Sequence, residues 1–74
     1  MDKLYRVTFA TKMGGYKTWA RDVEAPTAKI ARAMVEADWY LYNKAHMFIV
    51  TARKLKDDEE FLYHWFTPTL YKEV

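Results

Sequence analysis

Hydrophobic and polar positions change period along the chain. Residues 3 to 11 alternate, with Tyr5, Val7 and Phe9 on one side, and residues 16 to 24 do likewise, with Trp19 and Val23 together. Two such runs around a glycine-containing turn predict a β-hairpin. A two-residue Gly14-Gly15 turn would set Val7 against Asp22 and Tyr5 against Glu24, which mixes the faces. A three-residue loop, Met13-Gly14-Gly15 with Gly15 left-handed, sets Phe9 against Trp19, Tyr5 against Val23 and Arg6 against Asp22. A slip of one residue would turn every side chain to the other face, so this second register is the expected one.

Ala25-Pro26-Thr27 breaks the alternation. Proline disfavours the helical region for Ala25, and Thr27 is a good N-cap. From Ala28 to about Asn43 the spacing is helical. Ile30, Met34, Ala37 and Leu41 fall within about 60° of one another, with Ala33 beside them, and this face is expected on the sheet. Lys29, Arg32, Glu36 and Asn43 lie opposite, and Lys44 suits the negative end of the helix dipole.

Residues 46 to 55 read as a strand with Phe48, Val50 and Ala52 on one face and Met47 and Ile49 on the other. The stretch 58–67 fits either a helix with an acidic first turn or an aromatic strand, and strand propensity favours the latter. Pro68 ends either element. The expected fold is α+β, in the order β-β-α-β(-β). It has an antiparallel sheet of three or four strands and one amphipathic helix on one face. Residues 1–67 form a single domain in this reading, and 68–74 a C-terminal tail.

Composition narrows the picture. The chain has 74 residues and no cysteine, so no disulfide or thiolate zinc site supports a core of this small size. An apolar fraction of 51% with 18% aromatics suits a packed domain rather than a disordered tail. Twelve basic residues against ten acidic ones describe no polyanion-binding arm. No run approaches a membrane span and the start has no signal-peptide core, so a cytoplasmic location is expected, without a membrane partner.

Several residues stand out against that frame. Trp39 falls on the polar side of the helix, flanked by Val35 and Tyr42. Either the tail or a loop covers it, or it is an exposed anchor of the kind enriched at binding hot spots. The second sheet face also needs a cover for Met47 or Phe48, and for Leu62 or Tyr63 with Phe66 or Trp65. The C-terminal segment can supply it, and so can a second copy of the chain. For a small domain without cysteine the homodimer is the expected answer. Trp39, Tyr42, Val35, Arg32, Met47 and Trp65 are therefore the candidate interaction residues.

Arg21 shares a face with Phe9 and Trp19. It snorkels past the helix edge or pairs with Asp38 or Glu36, or it is a cation held for an acidic partner group or a phosphate. His46 and His64 lack the spacing of a metal site, and the acidic run 57–60 reads as a solvated turn, so no metal, cofactor or catalytic residue is assigned. The expected function is a small non-enzymatic protein-interaction module. By analogy of size it resembles a phage or mobile-element regulator or inhibitor that binds a host protein. The alternative is nucleic-acid binding through the basic, aromatic hairpin at Arg6, Lys12 and Lys17 and the helix face at Lys29 and Arg32.

Overall fold

Four elements follow in the order β1 (Lys3–Thr11), β2 (Lys17–Ala25), α1 (Ala28–Asn43) and β3 (Phe48–Lys54) in a computed structural model that describes residues 1–11, 17–44 and 47–67. The strands form one sheet in the order β2-β1-β3, with both pairings antiparallel. β2 and β3 consequently run parallel with β1 between them. A tight hairpin turn cannot join parallel strands, so α1 makes the crossover and lies over one face. This is the α+β layout that the periodicities predict.

The hairpin register is the one argued from the faces. Phe9 opposes Trp19, Tyr5 opposes Val23 and Arg6 opposes Asp22. The Met13-Gly14-Gly15 loop itself, Lys12, His46 and the 68–74 tail lie outside the described residues. The core is built from Tyr5, Val7 and Phe9 of β1, Val23 and Ala25 of β2, and Ala31, Val35 and Trp39 of α1, with Met47 at the approach to β3.

Helix boundaries also follow local chemistry. The Thr27 side chain accepts a hydrogen bond from the Ile30 backbone N–H at 3.2 Å, which satisfies one of the free donors of the first turn. At the other end Lys44 adopts a left-handed conformation (φ 51°, ψ 35°), and its N–H donates to the Tyr40 carbonyl at 2.8 Å.

The rotation of the helix differs from the expectation. Ala31, Val35 and Trp39 face the sheet, while Ile30 (43% exposed), Met34 (42%) and Leu41 (60%) point away. Trp39 is 4% exposed. Its ring meets those of Phe9, Trp65 and Trp19 at centroid distances of 5.1, 5.2 and 5.6 Å. The reason is size. An aromatic side chain buries about 150–250 Å² and gains further from edge-to-face contacts, and with small Ala31 one turn of the line is free to approach the sheet closely. Two apolar arcs compete for the sheet on this helix, and the tryptophan arc wins.

β3 departs from simple alternation as well. Thr8 pairs with Thr51 but Phe9 pairs with Ile49, which leaves Val50 as the extra residue of a bulge. Ile49 and Ala52 therefore both pack on the core. Strict alternation would place Ala52 with Phe48 and Val50, and the bulge is what separates them.

A fourth strand is reduced to one antiparallel bridge, Ala20 with Phe66, whose two backbone hydrogen bonds measure 2.7 and 3.0 Å. Residues 58–67 form neither the helix nor a continuous strand. Side chains take backbone groups that a ladder would otherwise use: the Leu62 N–H donates to the Asp22 carboxylate at 2.9 Å, and Arg6 donates to the Glu60 carbonyl at 3.1 Å.

The rotation of α1 is open to a direct comparison by denaturant unfolding. Trp39→Ala is expected to cost about 3–5 kcal/mol, and Leu41→Ala about 0.5 kcal/mol or less as a surface change. Equal costs, or a larger cost at Leu41, would contradict this rotation.

Candidate functional site

Among the described residues, the outward face of α1 carries an exposed apolar stripe. At about 100° per residue, Ile30, Ala33, Met34, Ala37 and Leu41 form a stripe whose centre lies about 140° from the Ala31–Val35–Trp39 line. All five residues are exposed. The third sector, with Lys29, Arg32, Glu36 and Asn43, is polar. This helix is thus divided into a buried apolar line, an exposed apolar stripe and a charged flank. The stripe comprises the residues expected in the core. Counting both apolar arcs on the wheel would have signalled it, because only one of them can face the sheet.

The candidate interaction residues separate into two groups. Trp39, Val35 and Met47 are core residues, which corrects the expectation of an exposed anchor at Trp39. The segment 58–67, hereafter the tail, covers it: Trp65 is half-buried and sets its ring edge against those of Phe9 and Trp39. Tyr42, 73% exposed, and Arg32 remain on the surface. Phe48, Val50 and Tyr63 are also exposed, so the tail covers only part of the apolar surface beyond the core.

Arg21 adopts the pairing expected of a structural residue. Its guanidinium lies 3.5 Å from Asp38 and stacks 4.5 Å from the centroid of the Trp65 ring.

The outer sheet face is organised by charge. Arg6 meets the buried carboxylate of Asp22 with two hydrogen bonds of 2.8 Å each, and reaches Glu59 at 3.3 Å. Phe66 lies under the guanidinium, 5.0 Å from its carbon to the ring centroid. Arg6, a candidate nucleic-acid contact, is therefore engaged by two carboxylates and a ring. Arg53 donates two hydrogen bonds of 2.7 Å to the same Glu59, whose carboxylate also accepts from the Lys56 backbone N–H at 2.7 Å. The hydrogen bonds to Asp22 and Glu59 raise the pKa of Arg6 and Arg53 respectively above the ordinary arginine value. Of the other candidate phosphate contacts, Lys17 and Lys29 are exposed. Lys17 places its ammonium 4.8 Å from the Trp19 ring centroid.

Among the described residues no group of three or more histidine, aspartate or glutamate side chains is placed to hold a metal ion. No described helix is long and apolar enough to cross a membrane. No family model, no curated protein and no solved structure matches this chain.

Glu59 gives the charge network a pH signature. The Arg53 hydrogen bonds, then the Lys56 N–H, lower its pKa from 4.5 to about 2. A carboxylate depressed in the folded state binds its proton more readily in the unfolded chain. Its contribution is therefore complete above about pH 4.5 and is lost as the pH falls towards 2. Thermal unfolding followed across that window is expected to show the parent protein losing stability on acidification. Glu59→Gln should start lower at pH 7 and converge with the parent near pH 2. Curves that stay parallel throughout would remove Glu59 from the network.

Proposed function

We propose that this chain is a small non-enzymatic protein-interaction module that works through the outward face of α1, and that a second copy of the chain occupies that face. One observation supports this reading above the others. Ile30, Met34 and Leu41 are left roughly half exposed on one stripe by a helix whose other apolar line is already used. Ala33 and Ala37 between them allow a second helix to approach closely.

The energetics set the scale of the assembly. Burying the exposed parts of these three side chains on each of two copies contributes about 4–9 kcal/mol. Association itself costs about 4–15 kcal/mol. The favourable end of both ranges leaves about 5 kcal/mol, a dimer with a Kd of roughly 0.1–1 mM. A protein partner with a deeper groove would gain more from the same residues, which is how such a module acts on another protein. The comparison with small phage or mobile-element regulators attaches to this reading through size alone.

Nucleic-acid binding is the weaker reading. Arg6 is neutralised by Asp22 and Glu59, and the net charge of +2 leaves a slight electrostatic footprint. Of the candidate contacts assigned to it, Lys17, Lys29 and Arg32 are described and exposed.

Sedimentation equilibrium at protein concentrations up to about 1 mM, the scale set by the area argument, tests the proposal. The mass is expected to rise from 8.9 kDa towards twice that value as concentration increases. Met34→Glu combined with Leu41→Glu should hold it at the monomer value with the circular dichroism spectrum unchanged. A parent protein that stays monomeric throughout, or a charged variant that associates as well as the parent, would sink the self-pairing reading.

A further inference from the structure

A separate feature lies at the C-terminal end of α1. A cleft of about 520 Å³ is lined by Trp19, Trp39, Trp65 and Tyr42, together with Lys17 and Asn43. Its volume falls within the roughly 300–1,000 Å³ typical of small-molecule sites. Tryptophan and tyrosine rings favour a planar aromatic guest over an aliphatic one, because offset and edge-to-face ring contacts add to the burial of area. Asn43 helps to fix the lining by donating from its amide to the Trp39 carbonyl at 3.2 Å.

Charge selects further. Among the described lining residues Lys17 alone carries a charge, and no described carboxylate pairs with it. The nearby cation Arg21 already has Asp38 as its counter-ion. A guest with a negative group would meet an uncompensated ammonium at the Trp19 ring, and a cationic guest would be repelled. The indole N–H groups of Trp19 and Trp39 are buried without an acceptor among the described residues. Both nitrogens have almost no accessible surface, so they lie behind the lining and offer a guest no hydrogen bond.

We infer that this cleft binds a small planar aromatic carboxylate, with its ring among Trp19, Trp39, Trp65 and Tyr42 and its negative group at Lys17. The site is independent of the outward face of α1, since it shares none of the residues Ile30, Met34 and Leu41.

Titration of the ¹⁵N-labelled protein with 2-naphthoate tests it, read at the three indole N–H signals. The expected result is a saturable shift of the indole signals of Trp19, Trp39 and Trp65. Cyclohexanecarboxylate, which lacks the ring, and 2-naphthylmethylammonium, which reverses the charge, should bind more weakly. Lys17→Glu should weaken 2-naphthoate binding about three- to ten-fold, the scale of one exposed ion pair removed and then reversed. Tyr42→Ala should weaken it as well. Both positions are exposed, so the remaining amide signals should report an unchanged fold. Unmoved indole signals, equal binding of the ammonium probe, or full binding by Lys17→Glu would each overturn the assignment. So would shifts confined to Ile30, Met34 and Leu41.

Discussion

The burial of Trp39 is the constraint on which the arrangement of this molecule depends. Once its indole is set among Phe9, Trp19 and Trp65, the helical repeat carries Val35 and Ala31 to the sheet with it. The same repeat must then turn Ile30, Met34 and Leu41 outward. The tail is bound by the same choice, because the Trp65 ring packs edge-to-face against both Trp39 and Phe9. A single large side chain thus decides the helix rotation, the course of the last described residues and the walls of the cleft.

The tail joins the two faces of the sheet. At the Ala20–Phe66 bridge it lies against β2, and neighbouring residues point to opposite sides in the manner of a strand. Trp65 enters the aromatic cluster on the helix side, while Phe66 lies under Arg6 on the other. Arg6 in turn is held by Asp22, whose side chain is fully shielded from solvent. A buried pair of this kind contributes little net stability, but removing one member typically costs about 3–5 kcal/mol, because the other charge is left unpaired. For a domain with no disulfide, that conditional cost ties the tail to the hairpin: the Leu62 N–H and the Glu60 carbonyl are both bonded to this pair.

The legible parts of the fold are those where one local rule decides. The hairpin register is legible because only one pairing keeps Tyr5, Phe9, Trp19 and Val23 together and sets Arg6 against Asp22. The helix start is legible because Pro26 and Thr27 act within a single turn. Rotation of the helix is a different problem. Alanine is spread around the wheel, so two arcs are apolar, and the choice between them rests on Trp65, which lies far along the chain. The bulge at Val50 is hidden for a similar reason: an extra residue leaves an apolar run looking like regular alternation. In the tail, backbone groups are satisfied by the side chains of Arg6 and Asp22, and no periodicity records that. The cleft escapes detection by sequence because its lining comes from β2, α1 and the tail at once.

The aromatic residues therefore do different work from that suggested by their number. All three tryptophans are drawn into one cluster, and the widest exposed apolar face of α1 is aliphatic. That distinction bears on the partner each surface suits. An aromatic anchor projects into a pocket on another protein, and it concentrates binding energy in one or two residues. A stripe of isoleucine, methionine and leucine with alanines between them is shallow, and it is matched by the ridge of another helix. The concave surface of this molecule is instead the cleft at the C-terminal end of α1, where the tryptophans themselves form much of the lining. A shallow aliphatic face and a concave aromatic cleft call for different occupants, and both result from the same rotation of α1.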